Sequence, residues 1–126
     1  MRTFYLTTLL LVLFTVCACN GGFEPPKEAD PKELNEKISN GVQANATWIK
    51  TPESIVKELF PRRSREGENS SYSIREKGTG GEARRVTVTE EGSIDDEIKG
   101  EKIVLYFDRK GDQWEITKMN HSVKRR

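Results

Sequence analysis

Residues 103–116 read IVLYFDRKGDQWEI, and this stretch decides the fold. Its first five residues form an unbroken apolar run, which predicts a central strand covered on both faces. The segment 108–111 predicts a hairpin turn, because Gly111 tolerates the positive φ that such turns require. Trp114 and Ile116 then alternate with polar residues, as in a strand with one buried face. Together these features predict an antiparallel hairpin within a sheet.

Two further strands are predicted upstream of this hairpin. Residues 72–74 and 86–89 each alternate apolar with polar side chains, which is the pattern of a half-buried strand. The glycine-rich segment 78–81 predicts the turn between them. The acidic segment 90–100 predicts a loop that leads into the central strand.

Two helices are predicted before the strands. The segment 30–33 (Asp-Pro-Lys-Glu) places a capping residue, a proline at the first helical position and an acid in the first turn. We expect Asn40-Gly41 to end this helix. The segment 51–54 (Thr-Pro-Glu-Ser) begins a second helix by the same logic, and Pro61 ends it. The apolar positions of the two helices are Leu34, Ile38 and Val42, and then Ile55, Val56, Leu59 and Phe60.

The order of these elements predicts an α+β domain over residues 31–126. Two helices pack on one face of a curved antiparallel sheet of about four strands. The stretch 86–116 is similar to uncharacterised exported bacterial domains. The order of two helices followed by antiparallel strands also resembles cystatin-like and nuclear-transport-factor-2-like (NTF2-like) folds, which are the alternatives for this domain.

The first eighteen residues have the features of a signal peptide. Arg2 precedes an uncharged, mostly apolar run over residues 3–16. As a helix this run would reach about 21 Å, which is short of a bilayer core of about 30 Å. A short apolar run with a positive start and small residues after it indicates export rather than a membrane-spanning helix.

The end of this segment, Val16-Cys17-Ala18-Cys19, resembles the lipobox of bacterial lipoproteins. The resemblance implies cleavage between Ala18 and Cys19, with palmitate-type acyl chains on Cys19, which becomes the first residue. It also implies a lipid-anchored protein of the cell envelope. Because Asn20 is not the Asp that retains some lipoproteins in the inner membrane, a Gram-negative source would favour the outer membrane over the inner membrane as the site of attachment from the periplasm or cell surface.

The alternative for the same segment is ordinary secretion as a soluble protein, since Val16 and Ala18 also satisfy the small-residue rule for cleavage. That alternative leaves Cys19 as an unpaired thiol in an oxidising compartment, which is unfavourable. Residues 19–30 contain Gly21-Gly22 and Pro25-Pro26, which predict a flexible tether reaching about 35 Å at about 3.1 Å per residue.

The composition excludes several function classes. The chain carries a net charge of +1, and the segment 19–126 is neutral. We therefore expect no nucleic-acid partner. Two Cys and one His exclude a finger-type zinc site, and no motif indicates a cofactor. The basic segments 62–65, 84–85 and 124–126 would form a positive patch for anionic lipid headgroups or glycans if they folded together. Because acidic residues lie near the first two segments, we expect separate solvated loops and a frayed end of the chain instead.

Candidate site residues are few. Asp95, Asp96 and Glu97 lie in the acidic segment and are weak candidates for a Ca²⁺ site, although the spacing of an EF-hand is missing. A solvated loop is the more common role of such a segment. His121 lacks a neighbouring nucleophile motif, so we expect a surface residue. No catalytic residue is predicted.

The sequence therefore favours a lipid-anchored, non-enzymatic binding or accessory module, with an envelope protein or a glycan as partner. A small exported enzyme with a pocket between the helices and the sheet is the second hypothesis. A third is a module that binds a partner by adding a strand to an exposed sheet edge.

Overall fold

The computed structural model describes residues 22–64, 69–92 and 94–126. The predicted signal peptide, Ala18 and Cys19 lie outside these residues. The described elements, in chain order, are β1 (Lys27–Ala29), α1 (Lys32–Gln43), a 3₁₀ turn (Thr47–Ile49), α2 (Pro52–Leu59), β2 (Ser71–Gly80), β3 (Ala83–Glu91), β4 (Ile98–Lys110) and β5 (Gln113–Arg125). No helix among them is both long and apolar enough to cross a membrane.

The strands form one antiparallel sheet in the order β1-β5-β4-β3-β2. The α+β prediction with two helices is confirmed, and the hairpin of residues 103–116 lies at the centre as β4 and β5. The sheet has five strands rather than about four. The additional strand is β1, which pairs Lys27 with His121 and Ala29 with Met119 at the edge of the sheet.

Strand β1 lies within the segment that was expected to be a flexible tether. This strand has only three residues, two of them charged, so its sequence shows no alternation of apolar and polar side chains. It is a strand because its backbone pairs with β5. Glu24 N–H also donates to Val123 O at 2.8 Å, and Arg125 pairs with Glu24 at 2.8 Å. The chain is therefore fixed to the domain from Gly22–Phe23 onwards, and only Asn20 and Gly21 separate Gly22 from Cys19.

Three predicted boundaries differ from the structure. Helix α1 continues past Gly41 to Gln43, because Gly41 is buried against Trp48 rather than forming a helix end. Strand β5 extends to Arg125, so the expected frayed end of the chain is paired with β4. The acidic loop is shorter than predicted, because residues 90–91 belong to β3 and residues 98–100 to β4.

The helices pack on one face of the sheet, which we call the helix side. Its core consists of Ile38, Ile55, Val56, Val86, Val88, Ile103, Leu105, Phe107, Trp114 and Ile116, all buried. The other face, which we call the open face, is not covered by either of the described helices. It presents alternate residues of β2, β3, β4 and β5.

The second helix begins as predicted, whereas α1 begins one residue later than predicted, with Pro31 as its N-cap and without the expected pairing of Asp30 and Glu33 in a capping box. Asp30 Oδ1 accepts the Lys32 N–H at 3.0 Å. At α2, Thr51 and Ser54 form a capping box, in which each side chain binds the backbone N–H of the other. The Ser54 hydroxyl also donates to Trp48 O at 2.7 Å, which holds the 3₁₀ turn over the first turn of α2.

Candidate binding surfaces

A pocket of about 290 Å³ lies on the helix side, between the end of α2 and strands β2 to β4. Its floor is apolar and its rim is charged. The lining residues are Leu59, Phe60, Pro61, Arg63, Tyr72, Val88, Glu90, Glu101 and Ile103. The pocket lies where the inward-facing side chains of β3 and β4 change from apolar (Val88 and Ile103) to acidic (Glu90 and Glu101). The apolar core therefore ends here.

A chain of ionic contacts forms the rim. The Arg63 guanidinium contacts Glu101 directly and lies 3.9 Å from Glu90 Oε1. Glu101 Oε1 is also 3.4 Å from His121 Nε2. This His121 nitrogen is buried and has no hydrogen-bond partner within the described part of the chain. Glu101 thus lies between Arg63 and His121 in this chain of contacts, and Glu90 is in contact with Arg63 alone of the two.

Glu90 is buried, with 5% of its surface exposed. Its Oε2 accepts the Arg63 N–H at 2.8 Å, and it accepts the Ser64 N–H and hydroxyl at 2.7 Å each. Burial by itself would raise the pKa of this carboxyl. The hydrogen bonds from Ser64 and Arg63, together with the Arg63 charge, outweigh burial and hold the pKa below its ordinary value. Glu90 therefore fixes the segment after α2 as an ionised anchor.

Tyr72 fixes the same segment from the strand β2. Its hydroxyl donates to Phe60 O at 2.7 Å. Burial, and after it the charge of Glu90, raises the pKa of Tyr72 above its ordinary value. The hydroxyl therefore remains a neutral donor, and it holds the end of α2 against the sheet.

These bonds limit what the pocket can do chemically. The hydroxyls of Tyr72 and Ser64 donate to structural partners, and Glu90 Oε2 already accepts three hydrogen bonds from Arg63 and Ser64. The pair of Glu101 and His121 is the arrangement closest to acid–base chemistry. An apolar floor with a charged rim suits the binding of a small amphipathic group.

The three weak metal candidates lie in the turn between β3 and β4. Asp95 Oδ1 accepts the N–H groups of Glu97 and Ile98 at 2.8 and 2.7 Å. These two bonds lower the pKa of Asp95, and they close the turn. Asp96 and Glu97 are exposed. No group of three or more His, Cys, Asp or Glu residues is placed to hold a metal ion within residues 22–64, 69–92 and 94–126.

The open face forms a second candidate surface, a shallow groove of about 860 Å³. Its lining is polar, with hydroxyl and basic side chains in alternate positions. The residues are Ser71, Ser73, Arg75, Glu76, Lys77, Arg85, Thr87, Thr89, Glu91, Lys102, Val104 and Tyr106. The Lys118 ammonium lies 5.8 Å from the centre of the Tyr106 ring on the same face.

The basic segments singled out in the sequence do not come together. Arg63 faces the helix-side pocket, whereas Arg85 and Lys124 lie on the open face. Sequence reasoning missed Arg75, Lys77 and Lys102, which join Arg85 in the groove. The signal was present in the alternation of β2, where residues 71, 73, 75 and 77 are all hydroxyl or basic.

Sequence reasoning also missed Glu90 and Glu101 as partners in one site. Glu90 and Glu101 are eleven positions apart with a turn between them, and only the pairing of β3 with β4 places them opposite each other.

No protein-family model, curated protein or solved structure matches this chain.

Proposed function

We propose that the protein is a lipid-anchored binding or accessory module of the bacterial cell envelope. The observation that carries this proposal is the lipobox-like tetrapeptide that ends at Cys19, after an apolar leader. Acylation with two or three chains would hold the protein stably at a bilayer, whereas one chain would hold it only marginally. The likeness to exported cystatin-like or NTF2-like domains belongs to the same proposal.

The packing on the helix side supports binding rather than catalysis. Leu105 and Trp114 are buried in the core, and Trp48, Leu59 and Phe60 pack against it. These residues fill most of the space where an enzyme of this architecture would place its cleft. The remaining pocket has hydroxyl groups that are engaged in holding the fold.

Metabolic labelling with radioactive palmitate in a bacterial host tests the anchor. We expect incorporation into the wild-type chain and complete loss of incorporation in Cys19→Ser. Cys17→Ser is the matched control, because this residue lies in the discarded leader, and it should retain the label. Equal labelling of the wild type and Cys19→Ser, or no labelling of either, would contradict the proposal.

The second candidate is a small exported enzyme, and the contact between Glu101 and His121 is the observation that favours it. The discriminating variant is His121→Gln, which removes the only imidazole of the chain and keeps a polar side chain of similar reach. A cellular phenotype lost in His121→Gln but retained in Cys19→Ser would favour the enzyme over the anchored module.

A further inference from the structure

A group of four basic side chains on the open face has no acidic partner among the described residues. We call Arg75, Lys77, Arg85 and Lys102 the basic patch. None of the four makes a side-chain ion pair or hydrogen bond with any other residue that the structure describes. Glu76 and Glu91 also line the groove, but Glu91 binds Lys124 at 3.0 Å.

The register of the sheet concentrates this charge. Lys77 lies directly opposite Arg85 on the neighbouring strand, and like charges in such positions destabilise a sheet. Arg75 lies opposite Thr87, and Lys102 lies opposite Thr89. Hydroxyl groups therefore alternate with cations across the face. This arrangement is complementary to the phosphate oxygens of an anionic surface.

Gly22 and Phe23, the described residues nearest to Cys19 in the sequence, lie on this same face. A Cβ placed on Gly100, which belongs to the open face, would lie 3.3 Å from the Phe23 ring and 3.0 Å from Lys124. The Lys124 ammonium stacks over Phe23 at 5.7 Å. Gly22 also contacts the Lys124 side chain. Gly22 and Phe23 therefore cover one end of the open face rather than the helix side.

Position and charge together determine an orientation. We infer that the open face is the membrane-facing side of the protein, and that the basic patch binds anionic phospholipid headgroups. This inference rests on the proposed acylation of Cys19. Three residues separate Cys19 from Phe23, and the step from Cys19 to Gly22 spans at most about 11 Å. The acyl chains would thus enter the bilayer beside the open face.

Photocrosslinking tests this orientation on the native protein purified from a bacterial host. The protein is reconstituted into phosphatidylcholine vesicles with and without phosphatidylglycerol, each containing a trace of photoreactive phosphatidylglycerol or photoreactive phosphatidylcholine. Lipid adducts are then mapped by mass spectrometry. We expect adducts from the anionic probe on β2, β3 and β4 at open-face positions. We expect few on α1 and α2.

Two matched variants separate the patch from general charge. Replacing the four residues of the basic patch with Gln should lower the adduct yield on the open face by about tenfold. The control replaces four exposed lysines of the helix side with Gln and should leave the map unchanged; they are Lys32, Lys37, Lys50 and Lys57. Circular dichroism spectra establish that both variants are folded. Salt that shortens the Debye length to about 3 Å should reproduce the loss in the wild type.

Several outcomes would overturn the inference. These are adducts mainly on the helices, equal yields from the neutral and anionic probes, or a basic-patch variant that behaves like the wild type. If the basic patch bound the soluble polyanion heparin but gave no adducts with the anionic lipid, its ligand would be an anionic polymer and not a bilayer. The mass of the N-terminal peptide in the same preparation reports acylation of Cys19. If Cys19 were unmodified and the open face still gave lipid adducts, the proposed acylation would be contradicted, whereas the proposed lipid-binding face would stand.

Discussion

Single residues show how this chain uses charge to hold a loop. Glu90 is the last inward-facing side chain of β3, at a position where the pattern of the strand predicts an apolar residue. Its carboxylate instead receives three donors from Arg63 and Ser64. A buried carboxylate oxygen that accepts several hydrogen bonds stabilises a fold, whereas its removal leaves donors without partners.

Replacing Glu90 with Gln tests this anchor. We expect the free energy of unfolding to fall by about 1–3 kcal/mol near neutral pH, because a neutral amide oxygen accepts the three hydrogen bonds more weakly than a carboxylate oxygen does and carries no charge to attract Arg63. The pKa of Glu90 is lower in the folded protein than its ordinary value of 4.5. Its contribution is therefore present above that ordinary value and is lost as the pH falls through the folded pKa.

Urea unfolding of the wild type and Glu90→Gln, measured from about pH 7 to about pH 3, checks this expectation. The difference between the two proteins should shrink on the acid side. Glu76→Gln is the control, because Glu76 is exposed on β2, and it should match the wild type near neutral pH. A difference that stayed constant over the whole range would contradict an ionised anchor.

Two contacts that no local sequence pattern predicts hold helix α1 against its neighbours, one with the 3₁₀ turn and one with β5. Gly41 lies within α1, and a Cβ there would be 2.7 Å from the Trp48 ring and 2.8 Å from Ile49 Cγ2. The glycine therefore lets the 3₁₀ turn pack against the helix. In β5, Asn35 of α1 binds both the N–H and the carbonyl of Ile116 at 2.8 and 2.9 Å. This pair of bonds lies at the register shift between β4 and β5.

Replacing Gly41 with Ala separates packing from helix propensity. Alanine favours a helix over glycine by about 1 kcal/mol, so propensity alone predicts stabilisation. We expect the overlap with Trp48 and Ile49 to dominate and to lower the free energy of unfolding by about 1–3 kcal/mol.

Thermal unfolding followed by circular dichroism measures the effect of this substitution. The control is Asn40→Ala on the neighbouring exposed position of α1, which should be neutral or slightly stabilising. Stabilisation by Gly41→Ala would show that the contact with Trp48 tolerates a methyl group, and it would contradict the packing argument.

At the scale of the whole molecule, the two faces of one sheet serve different purposes. The helix side contains the buried core and ends in an ionic rim, whereas the open face is polar and carries the basic patch. The strands also differ in their support. β4 is paired with both β3 and β5 over residues 100–107, but the far end of β2, residues 75–80, is exposed at the edge of the sheet.

Hydrogen exchange should reflect this gradient. We expect the amides of residues 103–107 in β4 to exchange only through global unfolding, because they are paired on both sides and lie over the core. The amides of residues 76–80 should exchange faster through local opening. Exchange measured by mass spectrometry or NMR checks the order, and equal protection of the two segments would contradict it.

The sequence alone determined the class of fold, the two helix starts to within one residue and the central hairpin. These features depend on local signals, namely the spacing of apolar residues, capping side chains and glycine in turns. The strand β1, the continuation of α1 beyond Gly41 and the meeting of Glu90 with Glu101 were decided only by the tertiary structure. Each depends on partners distant in the sequence, whose alignment follows from strand register and core packing. The basic patch belongs to the same group, because its charges come from three strands that only the folded sheet brings side by side.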